Sequence, residues 1–333
     1  MNLILKKSLR ISAIVILSTV ILISVGGTIY YQYWRNSNTI NTFSVFYEPQ
    51  LIDYNSIYWR SDSLGTAKVE KTAFFLKVKI EEIPGNFYMQ FDTGTPKTIF
   101  YGNTLSKVLK TNSGKEILSG KDSIQTMANV KINIGKTTFF AKDIIVKPNF
   151  GSSELDTAFT VIGTIGFDAL LDKTLILNFK TDKLAFTKKS ISDLNFETTI
   201  VQDASVGRFP LLIPAKIGNN KIRFFFDTGS SMFPILTSIE KLKKINGVSK
   251  IDTLCCVRNW SNMIPVYRRK INSKIDFNGI ISENDYVYGI DMSMINILNF
   301  VPESFLYAMT GNKLFDNRII VIDSKNNKFG ISK

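Results

Sequence analysis

Residues 87–95 read Phe-Tyr-Met-Gln-Phe-Asp-Thr-Gly-Thr, and residues 222–230 read Ile-Arg-Phe-Phe-Phe-Asp-Thr-Gly-Ser. Each is an apolar, aromatic run of the kind that favours a strand, and each breaks at Asp-Thr-Gly. A carboxylate and a glycine at the end of a buried strand cost stability unless the site has a use. Two such places, Asp92 and Asp227, point to a use that needs a pair of carboxylates.

Working outward, the surroundings repeat in the same order. Ala73–Ile80 (AFFLKVKI) predicts a strand, followed by a turn through Pro84-Gly85 and then the Asp92 strand. Phe209–Ile217 (FPLLIPAKI), the turn Gly218-Asn219-Asn220 and the Asp227 strand follow the same plan. The far ends also match. Gly166–Phe186 (GFDALLDKTLILNFKTDKLAF) and Gly311–Ile331 (GNKLFDNRIIVIDSKNNKFGI) align over 21 residues without a gap, with Leu175/Ile320, Ile176/Val321, Leu177/Ile322 and Leu184/Phe329 coinciding. The turn Lys180–Lys183 matches Lys325–Lys328. The two Asp positions are 135 residues apart and the two glycines 145 apart, so the second half carries about ten extra residues, which we place around 250–300. Further strands are expected at 130–134 and 143–147, and the polar stretch 111–123 reads as a flexible connection or hairpin tip. A duplicated unit of roughly 120–130 residues is far longer than a solenoid repeat. It fits two lobes, 67–195 and 196–333, related by an intramolecular pseudo-two-fold axis, which sets Asp92 and Asp227 opposite each other.

Composition narrows the chemistry. Apolar residues make up 44% and aromatics 12%, with 25 Phe, enough for substantial cores. β-branched residues are frequent and long helical periodicity is scarce beyond the first residues, so the class expected is all-β. The chain has no histidine. That removes Ser-His-Asp and Cys-His catalysis and histidine metal sites, and leaves acid–base work to Asp, Glu, Lys, Tyr or Cys. The two cysteines, Cys255 and Cys256, are adjacent; they neither staple distant strands nor make a zinc site. No metal and no cofactor is expected. The net charge of +13 is scattered, apart from Arg268-Arg269-Lys270, and no nucleic-acid motif is present.

At the N-terminus, Lys6, Lys7 and Arg10 precede residues 11–29 (ISAIVILSTVILISVGGTI), nineteen positions without a charge. At about 1.5 Å per residue this just spans a bilayer core of ~30 Å. Tyr30, Tyr31, Tyr33 and Trp34 follow as an interfacial belt would. Residues 1–34 are therefore expected to be a single-pass signal anchor, with the N-terminus cytoplasmic and the rest extracytoplasmic. The rival reading is a cleaved signal peptide at Ser24-Val25-Gly26. Residues 35–66, rich in Asn, Ser, Thr and Tyr, read as a stalk with at most a short strand joining the main sheet.

Two carboxylates within hydrogen-bond reach cannot both ionise cheaply, so they share a proton and titrate with split pKa values. Such a pair can hold a water, the ionised partner taking its proton while the protonated partner polarises a carbonyl. Gly94 and Gly229 allow a tight turn and close approach. Their N–H groups, and the hydroxyls of Thr95 and Ser230, can orient the charged form.

On these residues the chain resembles the two-lobed, pepsin-type aspartic proteases, with halves similar to retropepsin-like bacterial domains. The resemblance covers about residues 67–333 and rests on Asp92-Thr93-Gly94-Thr95 and Asp227-Thr228-Gly229-Ser230. It implies a bilobal acid-protease fold and a catalytic dyad of Asp92 and Asp227. It implies that Thr93 and Thr228 brace the two loops, and that Thr164-Ile165-Gly166 lies beneath the first of them. It also implies a peptide or protein substrate and an aspartic endopeptidase activity at the outer face of a membrane. The second half has Met309-Thr310-Gly311 at the corresponding place. No flap tyrosine stands between Thr98 and Lys131 except Tyr101, which is close to the Asp loop; the cover is sought at 111–127, or near Trp260 or Tyr267. The alternative is a catalytically inactive pepsin-like module that binds peptides or a protein partner. Asp92-Thr-Gly-Thr also resembles the phosphorylated loop of P-type pumps, but it lacks the Lys between Asp and Thr, and the duplication argues against it.

Overall fold

Along Ala67–Ile80 the last residues alternate: Leu76, Val78 and Ile80 are buried while Lys77 and Lys79 are exposed. That period of two makes one face of a strand apolar and the other wet. Strands built this way dominate the chain, which is of the all-β class with two sheets, as the composition led us to expect. The computed structural model describes residues 24–112, 116–119, 124–156, 158–194, 199–245, 247–259 and 262–332. They divide into two units, one ending at Ile40 and one running from Asn41 to the C-terminus.

In the first unit, residues 24–38 form a helix, α1. It carries Tyr30, Tyr33 and Trp34 exposed. Residues 1–23 of the expected anchor lie outside the described residues. Among the described residues no helix is long and apolar enough to cross a membrane.

The second unit begins with β1 (Phe43–Tyr47), β2 (Asn55–Leu64), β3 (Ala67–Ile80) and β4 (Ile83–Phe91). Then come β5 (Ile99–Tyr101), helix α2 (Gly102–Asn112), β6 (Leu118–Ser119), β7 (Gln125–Ile134) and β8 (Thr137–Lys147). β9 (Val161–Ile165), a 3-10 turn (Phe167–Leu170), β10 (Thr174–Asn178) and β11 (Lys183–Thr187) close the first half. The second half has β12 (Thr199–Asp203), β13 (Leu212–Ile217), β14 (Asn220–Phe226), β15 (Leu236–Ser238), helix α3 (Ile239–Lys244), β16 (Asp252–Asn259), β17 (Asn262–Phe277) and β18 (Ile280–Ile290). Helix α4 (Ser293–Asn296), β19 (Ala308–Thr310), a 3-10 turn (Asn312–Phe315), β20 (Ile319–Asp323) and β21 (Lys328–Ser332) complete it.

The stretch 35–66 is not a stalk beyond Asn41. β1 pairs with β8, Phe46 opposite Phe139, and β2 pairs with both β3 and β11. Phe43, Phe46 and Ile57 are buried in the core, and these few apolar residues, spaced among polar ones, suffice to seat two strands.

From β3 and β13 onward the halves match strand for strand. β3–β4 and β13–β14 are antiparallel hairpins. β4 runs parallel to β9, Phe91 beside Ile165, just as β14 runs parallel to β19, Phe226 beside Thr310. β5 pairs with β9 and β8, as β15 pairs with β19 and β18. Where the halves meet, β10 and β20 are antiparallel, with Leu175 opposite Ile322, Ile176 opposite Val321 and Leu177 opposite Ile320. Ile176 and Val321 are equivalent positions of the repeat and face each other, so the pseudo-two-fold axis passes through that pair. The extra length of the second half lies in β16–β17, an eight-residue strand against a sixteen-residue one, where the first half has a two-residue β6.

Candidate active site

Each Asp-Thr-Gly loop hangs from the end of a strand held by its parallel neighbour. The Asp92 N–H donates to the Ile165 carbonyl at 3.0 Å and the Asp227 N–H to the Thr310 carbonyl at 2.9 Å. Each loop then turns back, the Thr95 N–H to the Asp92 carbonyl (3.2 Å) and the Ser230 N–H to the Asp227 carbonyl (3.1 Å). Oδ1 of each Asp accepts the N–H of its own loop's glycine, Gly94 or Gly229, at 2.8 Å. The Thr95 hydroxyl donates to Asp92 Oδ2 at 2.9 Å. Ser230 differs: its hydroxyl lines the cleft without a hydrogen-bond partner among the described residues, so only its backbone supports the loop.

The two loops are locked together reciprocally. Thr93 Oγ1 donates to the Phe226 carbonyl (2.8 Å) and accepts the Thr228 N–H (3.0 Å). Thr228 Oγ1 donates to the Phe91 carbonyl (2.9 Å) and accepts the Thr93 N–H (3.0 Å). Both threonines are fully buried. Four hydrogen bonds thus satisfy six polar groups across the axis. The structure brings together all eight residues singled out in the sequence.

The lock presses the aspartates together. A Cβ on Gly94 would lie 2.5 Å from the Asp227 carboxyl carbon, and one on Gly229 would lie 2.6 Å from that of Asp92. The two carboxyl groups are close enough to affect each other's ionisation. Burial pushes the Asp227 carboxyl well above the usual carboxylate range, and the Asp92 charge and the Asp92 hydrogen bond add to that, against the opposing N–H groups of Gly229 and Gly94. A raised pKa from burial together with a like-charged partner is the mark of a pair that holds one proton between two oxygens.

Beneath the loops, Gly166 and Gly311 occupy equivalent places. A Cβ on Gly166 would meet the Lys97 carbonyl carbon at 2.5 Å, and one on Gly311 would collide with the Ser230 carbonyl. The atypical Met309-Thr310-Gly311 therefore fills the same role as Thr164-Ile165-Gly166.

Two further contributors emerge, one unread in the sequence and one weighed there only as a cover. Asp168, fully buried, accepts the Thr98 N–H (2.8 Å) and Thr98 Oγ1 (2.7 Å) and so ties the end of the first loop to the 3-10 turn. Its signal was a lone carboxylate inside the apolar run Gly166–Leu171. In the second half Asn312 reaches Ser231 Oγ at 2.5 Å instead. Tyr101 is the other. Its hydroxyl lies 2.6 Å from Thr164 Oγ1, and burial foremost raises its pKa, the Asp92 charge adding to the effect and the Thr164 hydrogen bond opposing it. It belongs to the wall of the site and not to a cover. Trp260 lies outside the described residues, as does much of 111–123.

The dyad opens into a cleft of about 680 Å³ between the halves. On the Asp92 side the wall holds Gln90, Ile99, Tyr101, Lys147 and Thr164; on the Asp227 side it is apolar and rich in methionine, with Met232, Phe233, Met292 and Met309. Among the described residues no group of three or more Cys, Asp or Glu side chains is arranged to hold a metal ion. A scan of the sequence against protein-family models finds no match, and a search of curated proteins finds none either.

Proposed function

We propose that the chain is an aspartic endopeptidase of the bilobal, pepsin-like type, acting on peptide or protein substrates as a monomer and tethered to the outer face of a membrane by its N-terminal segment. The observation that carries this reading is the reciprocal dyad: each aspartate packs on the glycine of the opposite loop, while Thr93 and Thr228 cross between the loops. In the mechanism we propose, Asp227, with its raised pKa, is the proton holder and Asp92 acts as the base. A water between them gives its proton to Asp92 as its oxygen attacks the scissile carbonyl carbon. Asp227 donates its proton to the carbonyl oxygen, so no oxyanion is left uncompensated. Asp92 then protonates the leaving nitrogen, Asp227 recovers the hydroxyl proton, and the C–N bond breaks to give acid and amine. Nothing in the cycle calls for histidine or a covalent intermediate.

The test is cleavage of a peptide library by the full chain in detergent at acidic pH, with Asp92→Ala and Asp227→Ala beside it. Each variant should lose cleavage while keeping a cooperative thermal transition; wild-type turnover in either one refutes the dyad. The inactive, peptide-binding module remains the second reading, favoured by the placement of Tyr101 in the wall, away from any cover. It predicts peptide binding with no cleavage, and no extra affinity for a peptide bearing a hydroxyl in place of the attacked carbonyl.

A further inference from the structure

Two hairpins lean over the cleft, one from each half. β17 pairs with β18 only as far as Val266, opposite Ile290; beyond that residue it pairs with β16 alone. The outer part of β16–β17 is therefore a two-stranded arm, a structure that is marginal by itself and takes its order from what it packs on. At its base, two residues of β16 stand against one of β17, between the pairs Leu254–Val266 and Val257–Ile264. Such a bulge bends a strand and sets a hinge point. β2–β3 is built alike: outward of the Phe75–Gln90 pair its strands have only each other, with an irregularity between Arg60 and Asp62.

The faces of the arms show what they are for. Cross-strand partners point to the same side. Val257 and Ile264 are such partners, and both line the cleft together with Asp92 and Asp227. Met263, next to Ile264 on the strand, points the other way and is 59% exposed. Leu64, next to the β2–β3 turn, reaches across from the first half and packs on the second half's apolar cluster around Phe233, Leu236 and Val257. β2 runs against β16. The hairpin of the first half that corresponds to β16–β17 by chain order, β6–β7, contributes none of its described residues to the cleft.

We infer that β16–β17 of the second half is the cover that closes on bound substrate, with Ile264 and Val257 gripping a large apolar side chain and Leu64 of β2–β3 acting as the latch. This rests on the protease reading. The apolar grip is continuous with Met232, Met292 and Met309, whose flexible thioethers adapt to different shapes. Ile264 is half-buried, so replacing it disturbs the grip more than the fold.

The experiment is hydrogen exchange on the full chain in detergent, with and without a peptide bearing a hydroxyl in place of the attacked carbonyl. Exchange at 254–259 and 262–264 should slow at least tenfold on binding. Ile264→Ser should raise KM and the probe's Kd at least fivefold, with kcat within twofold and the thermal midpoint unchanged. Leu64→Ser should speed exchange in both arms before any probe is added. Slowing confined to 116–119 and 124–127, or an Ile264→Ser variant that binds the probe as wild type does, overturns the assignment. If the probe binds nowhere and no Asp-dependent cleavage occurs, the protease reading falls and the cover falls with it.

Discussion

Gly94→Ala is the sharpest test of how the dyad is held. Gly94 lies outside the left-handed region, so alanine meets no backbone strain there; the only obstacle is space. The new methyl would lie 2.5 Å from the carboxyl carbon and both oxygens of Asp227, where ordinary contact begins at 3.4 Å. One loop must retreat by about 0.9 Å, and a displacement of ~1 Å at reacting groups costs on the order of 100-fold in rate, or about 2.7 kcal/mol of barrier. The same retreat weakens the Asp92 charge and hydrogen bond that help raise Asp227, so its pKa falls. The assay is the pH profile of kcat/KM beside a thermal melt. We expect kcat down about 100-fold and the alkaline limb moved to lower pH, with overpacking costing about 1–3 kcal/mol of stability. Adding Asp227→Ala to Gly94→Ala removes the obstructing carboxylate and should restore part of that stability. A Gly94→Ala enzyme with more than half the wild-type kcat and an unmoved alkaline limb would refute the claim that each glycine sets the position of the opposite aspartate.

Thr93→Val leaves the Thr228 N–H and the Phe226 carbonyl without partners in a buried interface, at about 1–3 kcal/mol for each group, so denaturant unfolding should show a loss of about 2–6 kcal/mol that Thr93→Ser largely avoids. Combining it with Thr228→Val should cost less than the sum of the two, because both act on one lock. Asp227→Asn should change the pH dependence of stability. With its folded pKa above the unfolded 3.8, the native state of the wild type binds more protons than the unfolded chain as pH climbs from about 4, so its stability falls there, and the variant should lack that fall in urea melts taken pH by pH. Lys173 gives the opposite slope. Its Nζ donates to the Leu171 carbonyl at 2.7 Å under the rings of Phe46 and Phe139, and burial lowers its pKa to about 8. Between about 8 and 10.5 the unfolded chain therefore binds the extra proton, so stability contributed at this site rises with pH, and Lys173→Met should abolish that rise.

What the sequence made legible follows from what is local. Asp92 and Asp227 each end a strand and repeat in the chain, so the pair and its eight-residue neighbourhood could be read directly. The 21-residue far-end match identified equivalent positions, but that one such pair, Ile176 and Val321, meets face to face on the axis is seen only in the structure. Helix α2 was missed because Gly102-Asn103-Thr104 opens it with poor helix formers, and its last residues lie in the polar stretch read as a connection. Only one short strand was anticipated where β1 and β2 lie, because only Phe43, Phe46 and Ile57 of that stretch go fully inside, too few to impose a period of two. Asp168 and Tyr101 act through Thr98 and Thr164, contacts between residues 63 to 70 apart that no spacing rule anticipates.

The reciprocity of the site ties its chemistry to the docking of the two halves. Neither loop is complete alone: the Thr93 hydroxyl needs the Phe226 carbonyl, the Thr228 hydroxyl needs the Phe91 carbonyl, and each glycine is small because the other half's aspartate occupies the space. A half folded by itself would expose two buried-type polar groups and a single carboxylate with an ordinary reason to ionise. Docking supplies the burial, the hydrogen bonds and the like charge that together lift Asp227, so on the protease reading the shared proton is retained only in the assembled pair. Loosening the Ile176–Val321 seam on the axis should then lower Asp227's pKa before it unfolds either half, and the alkaline limb of the rate profile would report the seam's integrity ahead of any thermal transition.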